Sequence, residues 1–252
     1  AYTNEGFAQT LSGNENIKIE QDLGQLSKGT FGYIIWMSNR EGNWNVYRMD
    51  IPNGKAVKLT QNIADNNDAC ISDDGKLIAW SEGDKYKRDV WIMNADGTDQ
   101  RMVVSNATMG LWRSDGKLVI HREKDNTSTF IYDLDTKSET KIWPIDNVKV
   151  EFGGVVGVVP SPDGKMLVGW ASNPVGTCIF SADGTFQKHV HSGCEGHFAS
   201  DSSFVYWVMQ PGTFGKATLQ GEVQEPLYKS NDVLPDPYSG ANDKYGHTYF
   251  PK

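Results

Sequence analysis

One phrase recurs along the chain. "CISDDGKLIAWSEG" begins at Cys70, "WRSDGKLVIHRE" at Trp112 and "PSPDGKMLVGWASN" at Pro160, with a looser "FASDSSFVYWVMQ" at Phe198. Copies about forty to fifty residues apart mark a solenoid or a propeller. The contents of one period decide between them. Asp68 to Ser72 is extended and meets the turn "DDGK"; Leu77 to Ser81 alternates as a strand. "DVWIMN" (Asp89 to Asn94) follows a polar loop, and the turn "ADGT" leads into "QRMVVS". Asp-Gly turns between alternating apolar runs are hairpin signals, because the glycine supplies a positive φ. Four short antiparallel strands per period make one propeller blade.

The other periods fit the same plan. Lys117–Arg122 and Thr129–Leu134 give middle strands of one blade, Lys165–Ala171 and Thr177–Ser181 those of the next. Phe204–Met209, Gly215–Leu219 and Val223–Lys229 belong to the last. The first set, at Tyr33–Asn39, Trp44–Asp50 and Lys55–Gln61, lacks a leading strand. The expectation is an all-β chain forming a single β-propeller of four-stranded antiparallel blades. Residues 1–30 are an N-terminal extension and 31–252 the propeller. A strand at Lys244–Lys252 ("KYGHTYFPK") would complete the first blade and hide its open edge, giving five blades. Strands within Asn16–Leu26 would instead give six, or the chain is part of a longer propeller. Trp36, Trp80, Trp91, Trp170 and Trp207 stand at matching places on strands, where packing between blades is their role.

The phrases "SDDGKLIAWSEG…DVWIMNADGTDQRMV" and "SNREGNWNVYRMDIPNGKAVKLTQN" resemble the WD40-like repeat of the TolB C-terminal propeller, over roughly residues 31 to 230. Related repeats occur in prolyl oligopeptidase-type propellers and in oligogalacturonate lyase. The resemblance implies a propeller fold and protein partners. It leaves the activity open, since propellers host binding modules and enzymes alike. "SDDGKLIAW" also resembles the Asp-box of sialidases, but that motif sits on a different hairpin of its blade. "NADGTD" at Asn94 resembles a calcium loop without the distal glutamate, and reads as a plain turn.

Net charge is −8 and the basic residues are scattered, which argues against nucleic acid. No apolar run is long enough to span a membrane. The start "AYTNEG" has the character of a mature end left by cleavage behind a small residue. With the TolB-like resemblance this points to a bacterial periplasmic or secreted protein.

Chemistry, if present, belongs where loops gather at the mouth of a propeller. The segments leading into the blades are "ADNNDA", "NATMG", "KVEFGG", "CEGHF" and "DKYGHTY". Two carry Gly-His pairs, at His197 and His247. With Glu195, Tyr245, Glu151 and Asp68 these are the candidate ligand-binding residues, and His197 and His247 are the candidate ligands of a divalent metal. Backbone capping by the histidines is the plainer alternative. His121, His189 and His191 are expected to face outward on strands. Cys178 and Cys194 both fall at the rim of neighbouring strands and are expected to form a disulfide, with Cys70 a buried free thiol. No nucleophile or phosphate-loop motif is present. The favoured function is therefore a non-catalytic scaffold binding a protein partner or serving as a subunit of an exported assembly. The rivals are a metal-dependent polysaccharide lyase acting on an acidic oligosaccharide, and a lectin.

Overall fold

The computed structural model describes residues 31–52, 54–84, 87–122, 128–210 and 213–229. Every regular element among them is a strand. The first sheet has three: β1 (Gly32–Ser38), β2 (Asn45–Ile51) and β3 (Val57–Lys58), in that order. The second has four: β4 (Asn66–Ile71), β5 (Leu77–Asp84), β6 (Lys87–Asn94) and β7 (Arg101–Val104). The third contains β8 (Ala107–Trp112), β9 (Leu118–Arg122), β10 (Thr129–Tyr132) and β11 (Glu139–Trp143). The fourth contains β12 (Val156–Pro160), β13 (Met166–Ser172), β14 (Val175–Ser181) and β15 (Gln187–His191). The fifth contains β16 (Cys194–Phe198), β17 (Val205–Gln210), β18 (Thr213–Ala217) and β19 (Val223–Lys229). Within each sheet the strands lie in chain order. This is the β-propeller pattern of antiparallel meander blades read from the repeats. The first sheet lacks a fourth strand among the described residues; the segment expected to supply it, 244–252, lies outside them, as does the extension 1–30.

The recurring Ser-x-Asp-Gly is a local hydrogen-bond device. Ser72 Oγ donates to Asp74 Oδ1 (2.8 Å) and accepts from the Leu77 amide (2.9 Å), while the Lys76 amide donates to Asp74 Oδ1 (3.1 Å). Ser161, Asp163, Lys165 and Met166 repeat it bond for bond. Gly75, with φ 71°, and Gly164, with φ 72°, take the left-handed turn position that a side chain would strain. The phrase that fills the sequence is thus the first hairpin turn of each blade.

The chain divides into two compact units, the first holding β1 to β9 and the second β10 to β19. In the first, Val46, Leu59, Ile78, Trp80 and Met93 form a buried cluster, with Trp80 stacked on Trp91 at 6.0 Å. In the second, Trp143, Val155, Val158, Leu167, Ala171, Cys178 and Phe180 do the same. Trp207 is also fully buried. Of the repeated tryptophans, Trp80 and Trp207 are core, while Trp36, Trp91 and Trp170 are half-buried.

One irregularity also repeats. The first strand of each four-stranded sheet slips register once: after Asn67 in β4, Thr108 in β8, Val156 in β12 and Cys194 in β16. Such bulges bend a strand and re-aim its side chains. Asp68 (φ 56°), Gly157 (φ 62°) and Glu195 (φ 56°) sit in them with positive φ.

Candidate functional site

In the first unit, Asp68 lies in the bulge of β4. Its Oδ2 faces Arg88 Nη1 at 3.5 Å. Burial pushes the carboxyl above the ordinary aspartate value, and the Arg88 charge and a hydrogen bond from Ser81 pull the other way. Arg88 also donates from Nε to the Asp84 carbonyl. The carboxylate therefore already has a cation and a hydroxyl within its own blade.

Sequence reasoning named "ADNNDA" as a blade entry but gave its asparagines no role, and the loop just before Asp68 is densely hydrogen-bonded. Asn43 Nδ2 donates to the carbonyls of Asn62 (3.3 Å) and Ala64 (2.9 Å). Asn66, fully buried, donates to the carbonyls of Ala64 (2.9 Å) and Trp44 (3.1 Å) and to Asn62 Oδ1 (2.8 Å). Asn62 in turn donates to Glu82 Oε2. Asp65 accepts from the Trp44 amide at 2.9 Å, and its carbonyl accepts from Gly83 at 2.9 Å. The run "QNIADNND" held a signal in its density of asparagines, side chains that hydrogen-bond nearby backbone.

In the second unit, Glu195 is exposed in the bulge of β16, and its charge together with burial raises the thiol of Cys194. Gly196 is demanded by packing: a Cβ there would stand 2.4 Å from Val168 Cγ2. His197 is half-buried and stacks on Tyr206, ring centroids 5.8 Å apart. His197, Tyr206 and Lys216 are direct cross-strand partners on β16, β17 and β18. The Lys216 ammonium lies 4.3 Å from the ring centroid of Phe204, which tilts against Tyr206. Burial raises the Tyr206 phenol, keeping it protonated over a wide pH range. Tyr206, Lys216 and Phe204 went unnoticed in the sequence; they extend the His197 position into a strip of aromatic and cationic groups. Glu151 is exposed, and its amide is held by Gln187 Oε1 at 2.9 Å.

The candidate residues thus divide. Asp68 belongs to the first unit, Glu151, Glu195 and His197 to the second, and Tyr245 and His247 lie outside the described residues. Among the described residues no group of three His, Cys, Asp or Glu side chains is arranged to hold a metal.

Three expectations are corrected. Cys178 and Cys194 are free thiols and do not form the expected bridge. Cys178 points into its blade core and donates to the Gly169 carbonyl at 3.3 Å, whereas Cys194 is half-buried on β16 of the next sheet. Burial pushes the Cys178 thiol up to about 12. Cys70, also free, is half-buried rather than buried. His121 does not face outward: it is 3% exposed, because β9 is covered on both faces from Leu118 to His121, and burial lowers its pKa to about 4. His189 and His191 are half-buried; His189 Nε2 meets the Val175 carbonyl at 3.2 Å, and the His191 ring lies 6.2 Å from Trp207.

No family model and no curated protein sequence matches the chain. Solved structures do. A putative TolB from Agrobacterium tumefaciens aligns with a TM-score of 0.57 at 19% identity, over 75% of each chain. TolB from Acinetobacter baumannii aligns with a TM-score of 0.58 at 15% identity, over 78% of this chain and 54% of its own length. This chain therefore spans about half of that relative. A chain of a nidogen/laminin complex aligns with a TM-score of 0.54 at 11% identity, over 77% and 74%. The fold is a TolB-like β-propeller. Among the described residues no helix is long and apolar enough to cross a membrane.

Proposed function

We propose that this chain is a non-catalytic binding propeller that holds a protein partner as a subunit of an exported, periplasmic or extracellular assembly. The observation that carries this reading is how the reactive side chains are used. Asp68 is matched by Arg88 and Ser81, and His197 is stacked on Tyr206. Groups that acid–base chemistry would leave facing a substrate are engaged inside their own blades. The fold likeness supports it, since one similar chain was solved within a nidogen/laminin complex.

The test compares the protein in an extract of its source with the purified chain, by native electrophoresis and sedimentation. The expected result is a larger species in the extract that reduces to the chain alone on purification. A single species of the chain's own mass in both would overturn the reading.

The strip of His197, Tyr206 and Lys216 favours one alternative, an acidic oligosaccharide held against these aromatic rings and by the Lys216 ammonium. Calorimetric titration with acidic oligosaccharides, with and without divalent metal, on wild type and His197→Ala decides it. Saturable heat that His197→Ala abolishes would establish this alternative and the metal's part in it.

A further inference from the structure

Ile63 is 97% exposed, yet the loop that carries it is among the most tightly bonded in the first unit. The carbonyls on either side of it, those of Asn62 and Ala64, both accept from the one Asn43 amide group, and Ala64 accepts again from Asn66. Single exposed apolar residues are ordinary and on mobile loops mean little. Here the backbone is fixed by the half-buried Asn43 and the buried Asn66, and the side chain it presents makes no use of that rigidity within the chain. A rigid apolar knob loses little conformational freedom when it enters a pocket, so its burial is converted efficiently into affinity.

The ground around it is acidic. Asp65 is in the loop, Glu82 accepts from Asn62, and Asp89 stands directly opposite Glu82 across β5 and β6. Like charges so placed repel each other. The Arg88 guanidinium is turned to Asp68. The unit therefore presents an apolar knob beside a group of acidic side chains.

We infer that Ile63 is the anchor of the partner interface, and that the partner is a protein with an apolar socket rimmed by lysine or arginine. This rests on the protein-binding reading above and adds where the partner binds and what its surface is made of. Ile63 fills the socket, and the Glu82 and Asp89 carboxylates meet the basic rim, which speeds encounter and makes binding salt-dependent.

The experiment places a benzophenone amino acid at position 63 of the full chain in its source and, as control, at Val57, which is 55% exposed on the edge strand β3. The protein joined from position 63 is then purified and its affinity measured for wild type, Ile63→Asp, Ile63→Leu, Asn43→Ala and Val57→Asp. The expected result is at least tenfold weaker binding for Ile63→Asp and near-wild-type binding for Ile63→Leu and Val57→Asp. Asn43→Ala, which frees the loop but keeps the knob, should weaken binding severalfold, and wild-type affinity should fall as salt rises. Each variant is first checked for a cooperative thermal transition well above the assay temperature, Asn43→Ala being expected to melt somewhat lower. A larger native species that persists with Ile63→Asp would overturn this inference and leave the protein-binding reading standing. Loss of the larger species in wild type overturns both. Joining to lipid instead of protein, or affinity indifferent to salt, overturns the partner's stated chemistry.

Discussion

Asn66 offers the sharpest test of how the Ile63 loop is held. Its amide contacts three acceptors, and the structure says what each would keep if it were removed. The Trp44 carbonyl still accepts from the Asn66 backbone amide at 2.9 Å, and the Ala64 carbonyl still accepts from Asn43. Asn66→Ala therefore orphans no backbone carbonyl, though it takes the Asn66 donor from the half-buried Asn62 Oδ1. It removes about two net hydrogen bonds of roughly 1 kcal/mol each, so the expected loss is about 2 kcal/mol. Asn66→Asp should do more harm, because it sets a buried carboxylate against two carbonyls and the Asn62 Oδ1. The double variant Asn43→Ala/Asn66→Ala strips both donors from Ala64. It should lose about 1 kcal/mol more than the two single changes summed, the penalty for an acceptor left without a partner. Urea midpoints for the four proteins, followed by tryptophan fluorescence, measure this. Additivity within about 0.3 kcal/mol, or an Asp variant no worse than Ala, would refute the claim that Asn43 and Asn66 share the Ala64 carbonyl around a buried amide.

Gly196→Ala should destabilise the second unit by about 1–3 kcal/mol, since its Cβ would sit 2.4 Å from Val168 Cγ2, and Val168→Ala should recover part of the loss in thermal melts. His121 is held neutral: its folded pKa of about 4 lies below the free value of 6.5, so the unfolded chain takes the proton first. Stability should then fall as pH drops from 6.5 to about 4, by roughly 3 kcal/mol in all, and His121→Phe should flatten that slope in pH-dependent melting. Asp74 and Asp183, lowered to about 2 chiefly by hydrogen bonds from Ser72 and Ser181, have the acid version of this behaviour. Their contribution is present above about 3.8 and lost as pH falls towards 2, so Ser72→Ala should reduce the acid-dependent part of the melting curve over that window. Thiol titration of native protein should modify Cys70 and Cys194 first and Cys178 only on unfolding, with three thiols in total; two missing thiols without reductant would restore the bridge rejected above.

The blades were legible because their signal is local. Ser72, Asp74, Gly75 and Lys76 close a turn among themselves, so every copy announces its hairpin within a few residues. Side-chain direction was less legible, for a physical reason. Alternation along a strand separates two faces, but a middle strand of a blade is covered on both, which is why His121 is buried although its alternation pointed it outward. Cys178 was read at the rim of its strand; it lies in the middle of β14 with its side chain in the core. The Gly-His pair at His197 was read as marking a ligand-binding residue; Gly196 is there because β16 lies too close to Val168 for a side chain. The Asn43–Asn62–Asn66 network escaped notice because its bonds cross about twenty residues without any period. What the sequence leaves obscure in a propeller is therefore the links between blades. Repeats fix the blades to one another's pattern, and only the unrepeated links, such as the one carrying Ile63, are free to differ and so to recognise a particular partner.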